Sequence, residues 1–121
     1  MSQHHYACMW QARPITIMLG WNRAAHGFFM DVEYDDQDDG IDEGSVLYDN
    51  LHDPALMATR GLSGDVGYFL GILAHLGLSL PRRMVDAVQA DADRNAGNGE
   101  SWYDHKGNVV ASVPDAQEVH P

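Results

Sequence analysis

The chain has 121 residues, 45% of them hydrophobic, and a formal net charge of −11. That is one domain's length, with apolar material enough to bury roughly two-thirds of the unfolded surface, so disorder throughout is excluded. A pI near 4.7 gives a surface that repels phosphate backbones and anionic lipid heads, which argues against direct nucleic-acid or membrane binding.

A single cysteine, Cys8, rules out an intramolecular disulfide and any CxxC zinc pattern. No Lys or Arg precedes Arg13, and the longest early apolar run, ITIMLGW, falls well short of the roughly twenty residues a spanning helix needs. The expected compartment is the cytoplasm.

Read in chain order, the first third predicts strands. YACMWQ (6–11) and PITIMLGW (14–21) are rich in β-branched and aromatic residues and are separated by a tight turn at ARP. FFMDVEYD (28–35) alternates most cleanly: Phe28, Met30, Val32 and Tyr34 share one face, while Asp31, Glu33 and Asp35 share the other. One face is therefore core and the other wet, as in an antiparallel meander covered on one side. SVLYDNL (45–51) predicts a fourth strand, and DPALMATR a short helical turn capped by Asp53 with Pro54 at its first position.

Two helices follow. Val66, Phe69, Leu70, Leu73 and Leu76 recur at spacings of three and four after Ser63 and Asp65, with Gly77 as terminator. Met84, Val85, Val88 and Ala92 form the stripe of a second helix running from Pro81 towards Gly97, and the short connection predicts an αα-hairpin. WYD and NVVASV flank HKG as a closing hairpin. YDHKGNVV is similar to one unit of the YD-repeat family, but that family stacks many copies, and a single copy reads as an ordinary turn. The expected fold is α+β: a mostly N-terminal antiparallel β-meander, a packed αα-hairpin and a C-terminal β-hairpin. Residues 1–113 form one domain and 114–121 a fraying tail.

Charge is uneven along this plan. Between Arg23 and Arg60 there is no Lys or Arg, while Asp31, Glu33, Asp35, Asp36, Asp38, Asp39, Asp42, Glu43, Asp49 and Asp53 all fall there. Such runs usually form a solvated, self-repelling surface. As an EF-hand the segment fails: with Gly40 anchored, Gln37 takes a ligand position and Val46 replaces the bidentate Glu, which leaves only a looser Ca²⁺ or Mg²⁺ site. As a partner-binding surface, Asp31, Glu33, Asp35, Asp36, Asp38, Asp39, Asp42 and Glu43 would meet a basic protein. A row of carboxylates about 6.8 Å apart along a strand offers it a partial mimic of nucleic acid.

Catalytic signals are weak. His4 and His5 are adjacent, so an extended chain sends them to opposite faces, and no HExxH, Walker A or GxSxG motif occurs. Cys8 shares a face with Tyr6 and Trp10 and reads as a small buried hydrophobe, and His75 as a partly buried imidazole. Gly67 and Gly71 predict a close approach of the first helix to its neighbours, or else a shallow groove or homodimer contact. The plentiful Trp and Tyr point to a protein-binding surface. The leading expectation is a small acidic, non-enzymatic interaction or regulatory protein without metal or cofactor. The alternative is a cation-binding protein or small enzyme with a site assembled from scattered His and Asp residues.

Overall fold

The computed structural model describes residues 1–36 and 46–113. The acidic residues 37–45 and the expected tail 114–121 lie outside the described residues.

Six strands, β1 (Ser2–Trp10), β2 (Arg13–Asn22), β3 (Gly27–Tyr34), β4 (Val46–Asp49), β5 (Gly99–Tyr103) and β6 (Val109–Val113), form one sheet in the order β4-β3-β2-β1-β5-β6. The first four make the N-terminal meander, and the α+β architecture is the one the sequence predicts. The β1–β2 turn is tighter than ARP suggests. Trp10 pairs with Arg13, and Gln11 and Ala12 both take positive φ (48° and 66°), the geometry that matches strand twist in a two-residue hairpin.

β1 begins at Ser2, four residues before the apolar run that announced it. Its first half pairs on both sides, antiparallel to β2 and parallel to β5, so backbone bonding on two flanks holds a polar SQHH segment extended. The parallel pairing follows from the chain's excursion between β4 and β5. That excursion contains 3₁₀ turns at Asn50–His52 and Pro54–Thr59, then α1 (Val66–His75) and α2 (Arg82–Asp93).

α1 starts and stops as its sequence dictates, whereas α2 has no side-chain cap at Pro81 and closes at Asp93, short of Gly97. The Asp65 carboxylate accepts from Gly67 N at 2.9 Å to cap α1, and Gly77 takes φ 76° beyond its end. Asp53 caps the second 3₁₀ turn by accepting from Ala55 N at 2.9 Å. α1 packs on β3 and α2 on β1 and β2. Ile15, Ile17, Leu19, Met30 and Val32 meet Phe69, Leu73, Met84 and Val88 in one core.

Two tryptophans fasten the helix ends to the sheet. Trp10 Nε1, at the end of β1, donates to the Leu76 carbonyl at 2.9 Å, and Trp21 Nε1, at the end of β2, donates to Asn95 Oδ1 at 2.9 Å. Because β1 and β2 run antiparallel, the two anchors sit at opposite ends of the strand pair.

The glycines of α1 behave differently from expectation. Gly67 and Gly71 are exposed, and a Cβ on Gly71 would meet nothing within 4 Å, so the helix makes no close approach there. His75 is likewise exposed. The glycine that packing requires is Gly20, where a Cβ would fall onto the Ser2 carbonyl oxygen and the Phe29 ring.

These surroundings predict opposite outcomes for one substitution type. Gly20→Ala is expected to destabilise the fold by about 2–3 kcal/mol, since backbone cannot yield to the added methyl. Gly71→Ala is expected to stabilise it by roughly 0.5–1 kcal/mol through helix propensity. Urea unfolding of both variants checks the pair.

Candidate functional site

The α-helices pack on one face of the sheet, and the other is open around Asp31 and Glu33, though Phe29 on that face is only 7% exposed. Strand alternation assigns that open face His5 from β1, Thr16 and Met18 from β2, Asp31 and Glu33 from β3, Asp49 from β4, and Trp102 from β5. A shallow depression of about 340 Å³ lies on it, lined by Gln3, His5, Thr16, Met18, Asp31, Glu33 and Asp35.

The candidate carboxylates are sorted by this geometry. Asp31 and Glu33 stand on the open face, and Asp49, directly opposite Asp31 on β4, joins them. Asp35 sits at the end of the same depression and accepts from the Thr16 hydroxyl at 2.9 Å. Asp36 is drawn away into an ion pair. Arg13 Nη2 donates to it at 2.9 Å and the guanidinium carbon lies 3.7 Å from the Tyr34 ring centre, so the Asp36 carboxyl is held below its usual range by the Arg13 hydrogen bond. Asp38, Asp39, Asp42 and Glu43 lie outside the described residues.

Like charges facing each other across two strands disfavour ionisation. Burial, and then the charges of Glu33 and Asp49, push the Asp31 carboxyl up to about 7. Asp49 also accepts from Leu51 N at 2.9 Å and pairs with His52 Nδ1 at 3.2 Å, so the end of β4 fixes its side chain. At the far side of the face His5 stacks on Trp102, with ring centres 4.8 Å apart. Its Nε2 is buried without a hydrogen-bond partner, 3.7 Å from Glu100, and burial lowers its pKa against the opposing pull of that carboxylate.

The helix-covered face hides a polar network that the sequence pattern did not expose. His4 is 6% exposed; its Nδ1 lies 2.7 Å from Tyr103 Oη and its Nε2 2.6 Å from Asp91 Oδ2. Arg94 Nη2 donates to the other Asp91 oxygen at 2.9 Å. Burial alone would raise the Asp91 carboxyl, but the His4 hydrogen bond and the Arg94 partner outweigh it and hold the group below the usual carboxylate range. With both ring nitrogens committed, His4 has no free lone pair for a general base. Asp91 follows Met84 and Val88 on the buried side of α2, and that spacing was the available signal.

Remaining chemistry-bearing groups are likewise engaged. Tyr48 and Tyr68 hydroxyls both donate to Asp53 Oδ2, at 2.6 and 2.7 Å. Burial, and then the charge of Asp35, push the Cys8 thiol up, the opposite of nucleophile activation. Most of the aromatics are structural: Trp10 and Trp21 anchor helices, and Tyr34 and Tyr103 are buried. Among the described residues no three His, Cys, Asp or Glu side chains are grouped to hold a metal ion, and no helix is long and apolar enough to cross a membrane. No protein-family model, curated protein or solved structure matches the chain.

Two consequences are measurable. Asp31 is protonated in the folded protein up to about pH 7, whereas the unfolded carboxyl ionises near 4, so its contribution to stability falls as pH rises between those values and stays low above them. The shift corresponds to about 4 kcal/mol at full burial, and partial exposure reduces the expected gain from Asp31→Asn to roughly 1–2 kcal/mol at pH 8, vanishing near pH 4. Thermal unfolding across that range tests it. His4→Ala leaves Asp91 buried beside an empty site and is expected to cost about 3 kcal/mol, with faster hydrogen exchange at the end of α2.

Proposed function

We propose that this chain is a small acidic, non-enzymatic interaction protein that docks a basic partner on the open face of its sheet. The observation that carries the reading is the convergence of Asp31 and Glu33 with Asp49 on an uncovered surface, with Asp35 at its end and no Lys or Arg lining the depression between them. A cationic side chain placed there would displace the proton that Asp31 otherwise holds against the charges of Glu33 and Asp49. Residues 37–45 add Asp38, Asp39, Asp42 and Glu43 to the charge available nearby in sequence.

Among basic partners, one built to bind nucleic acid suits the row best. Side chains two residues apart on a strand stand about 6.8 Å from each other, a spacing that a phosphate-binding groove can follow. The same electrostatics make association salt-dependent and indifferent to chelators, whereas a cation site would show ligand-linked stabilisation by Ca²⁺, Mg²⁺ or Zn²⁺.

The test compares three proteins in capture from host lysate: the native chain, Asp31→Asn/Glu33→Gln/Asp35→Asn on the face, and Asp38→Asn/Asp39→Asn/Asp42→Asn/Glu43→Gln in the segment beyond it. The expected result is a partner held at about 0.1 M salt, released near 1 M where screening shortens to about 3 Å, and lost with the face variant. Capture unchanged by both variants, or sensitive to EDTA rather than salt, overturns the proposal.

A further inference from the structure

At the β4 edge of the sheet a trough of about 580 Å³ lies between that strand and α1. All four residues of β4 line it, with Asp53 and Pro54 from the 3₁₀ turns and Tyr68 and Ile72 from α1. Pockets that hold ligands run from about 300 to 1,000 Å³.

One wall of the trough is braced in advance. Tyr48 and Tyr68 each meet Phe69 edge-on, with ring centres 6.3 and 5.4 Å away, and both hydroxyls converge on one oxygen of Asp53. Side chains held in this way lose little further freedom when a partner packs against them. The rest of the lining is apolar and reached by solvent. Leu47, Pro54 and Ile72 contribute to it, Val46 is 41% exposed there, and Leu51 in the adjoining turn is 64% exposed. Single exposed apolar residues are ordinary, but a group of them beside a preformed cavity marks a binding surface.

Charge and strand pairing select the occupant. Asp49 and Asp53 are both in the lining and no Lys or Arg is. Hydrogen bonds from Tyr48 and Tyr68 hold the Asp53 carboxyl below its usual range, so it is charged at neutral pH. Asp49 belongs to two regions, since it lines the trough and stands opposite Asp31 on the open face. A segment crossing from the face to the trough therefore passes a carboxylate. Backbone pairing along β4 is a poor means of attachment, because the strand has four residues and its pairing with β3 skips Leu47. Recognition falls to side chains.

We propose that this trough takes a large apolar side chain of the basic partner, close in sequence to an arginine or lysine held at Asp49. The inference rests on the docking reading above and supplies the anchor that reading lacks. Exposed charge pairs contribute little and are screened by salt, whereas an aromatic group seated in a pocket carries a large share of an interface's energy.

The test is an amide NMR titration of the full chain with three terminally blocked peptides. They are Arg-Gly-Phe-Gly-Arg, its analogue with serine for phenylalanine, and its analogue with glutamate for both arginines. The first is expected to bind about tenfold more tightly than the second, the gain from partly burying one phenylalanine, and to shift residues 46–49, 52, 53, 68 and 72. Val46→Ser and Ile72→Ala should each weaken the phenylalanine peptide about threefold or more and leave the serine peptide unchanged. Should Ile72→Ala fail to fold, the exposed Val46→Ser carries the comparison. Equal binding of the first two peptides, or phenylalanine-dependent shifts outside the trough, overturns the proposal and leaves the docking face standing. So does phenylalanine-peptide binding that appears only in Ile41→Ser, which would make the chain's own residues 37–45 the occupant. Shifts of the trough amides with protein concentration alone would make it a second copy and count equally against. Arginine peptides that bind no better than the glutamate peptide overturn the docking reading itself, and this proposal with it.

Discussion

A buried histidine held from both sides fixes how the two ends of this chain meet. His4 enters the core from β1 and reaches Tyr103 of β5 with one nitrogen and Asp91 of α2 with the other. A parallel strand pair has no hairpin to set its register. Here a slip by one residue would send Tyr103 to the solvent face and leave both His4 and Asp91 without their partners. Burying an ion pair is weak evidence of net stabilisation, but removing one partner from such a pair is costly, so the network penalises misregistered alternatives more than it rewards the correct one.

That division of labour leaves the two faces of the sheet with opposite characters. On the covered face His4, Tyr103 and Asp91 each have a partner on another element, and the tryptophan anchors close the helices down on the strands. On the open face carboxylates confront one another across β3 and β4, and Asp31 holds a proton that an isolated aspartate would have lost. A fold that tolerates this repulsion retains a surface whose charge state answers to whatever approaches it.

Much of the architecture was legible because local signals agree with it. The alternation in residues 28–35 separates core from solvent side chain by side chain, and Asp53, Asp65 and Gly77 mark boundaries where the helical segments begin and end. What was hidden depends on distant partners. Nothing in SQHH announces a strand, because β5 is most of a chain length away and supplies half of what holds the segment extended. Asp91 was masked by the apolar residues around it on α2, although a carboxylate on a buried stripe requires a buried partner. The glycines of α1 misled for the converse reason: their spacing implied a close neighbour, and the helix turns that side to water. On the candidate site, the alternation correctly placed Asp31 and Glu33 on one face, while Asp49 reached them only through the pairing of β4, and Asp36 was taken out of the group by Arg13.

The far edge of the sheet bears on the chain's behaviour in concentrated solution. β6 reads VVASV, carries no charge, exposes Val110 by 64%, and among the described residues pairs with β5 alone. Such a strand is a template for adding another strand, and natural sheets guard it with lysine, proline or a bulge; here the pairing with β5 skips Val110, an irregularity that interrupts the edge locally. A second guard is global: a net charge of −11 keeps copies apart before their edges can meet. Colloidal stability is thus borrowed from carboxylates on the opposite side of the molecule. Near the pI of about 4.7, where that repulsion is spent, the β6 edge is the surface through which the protein would first come out of solution.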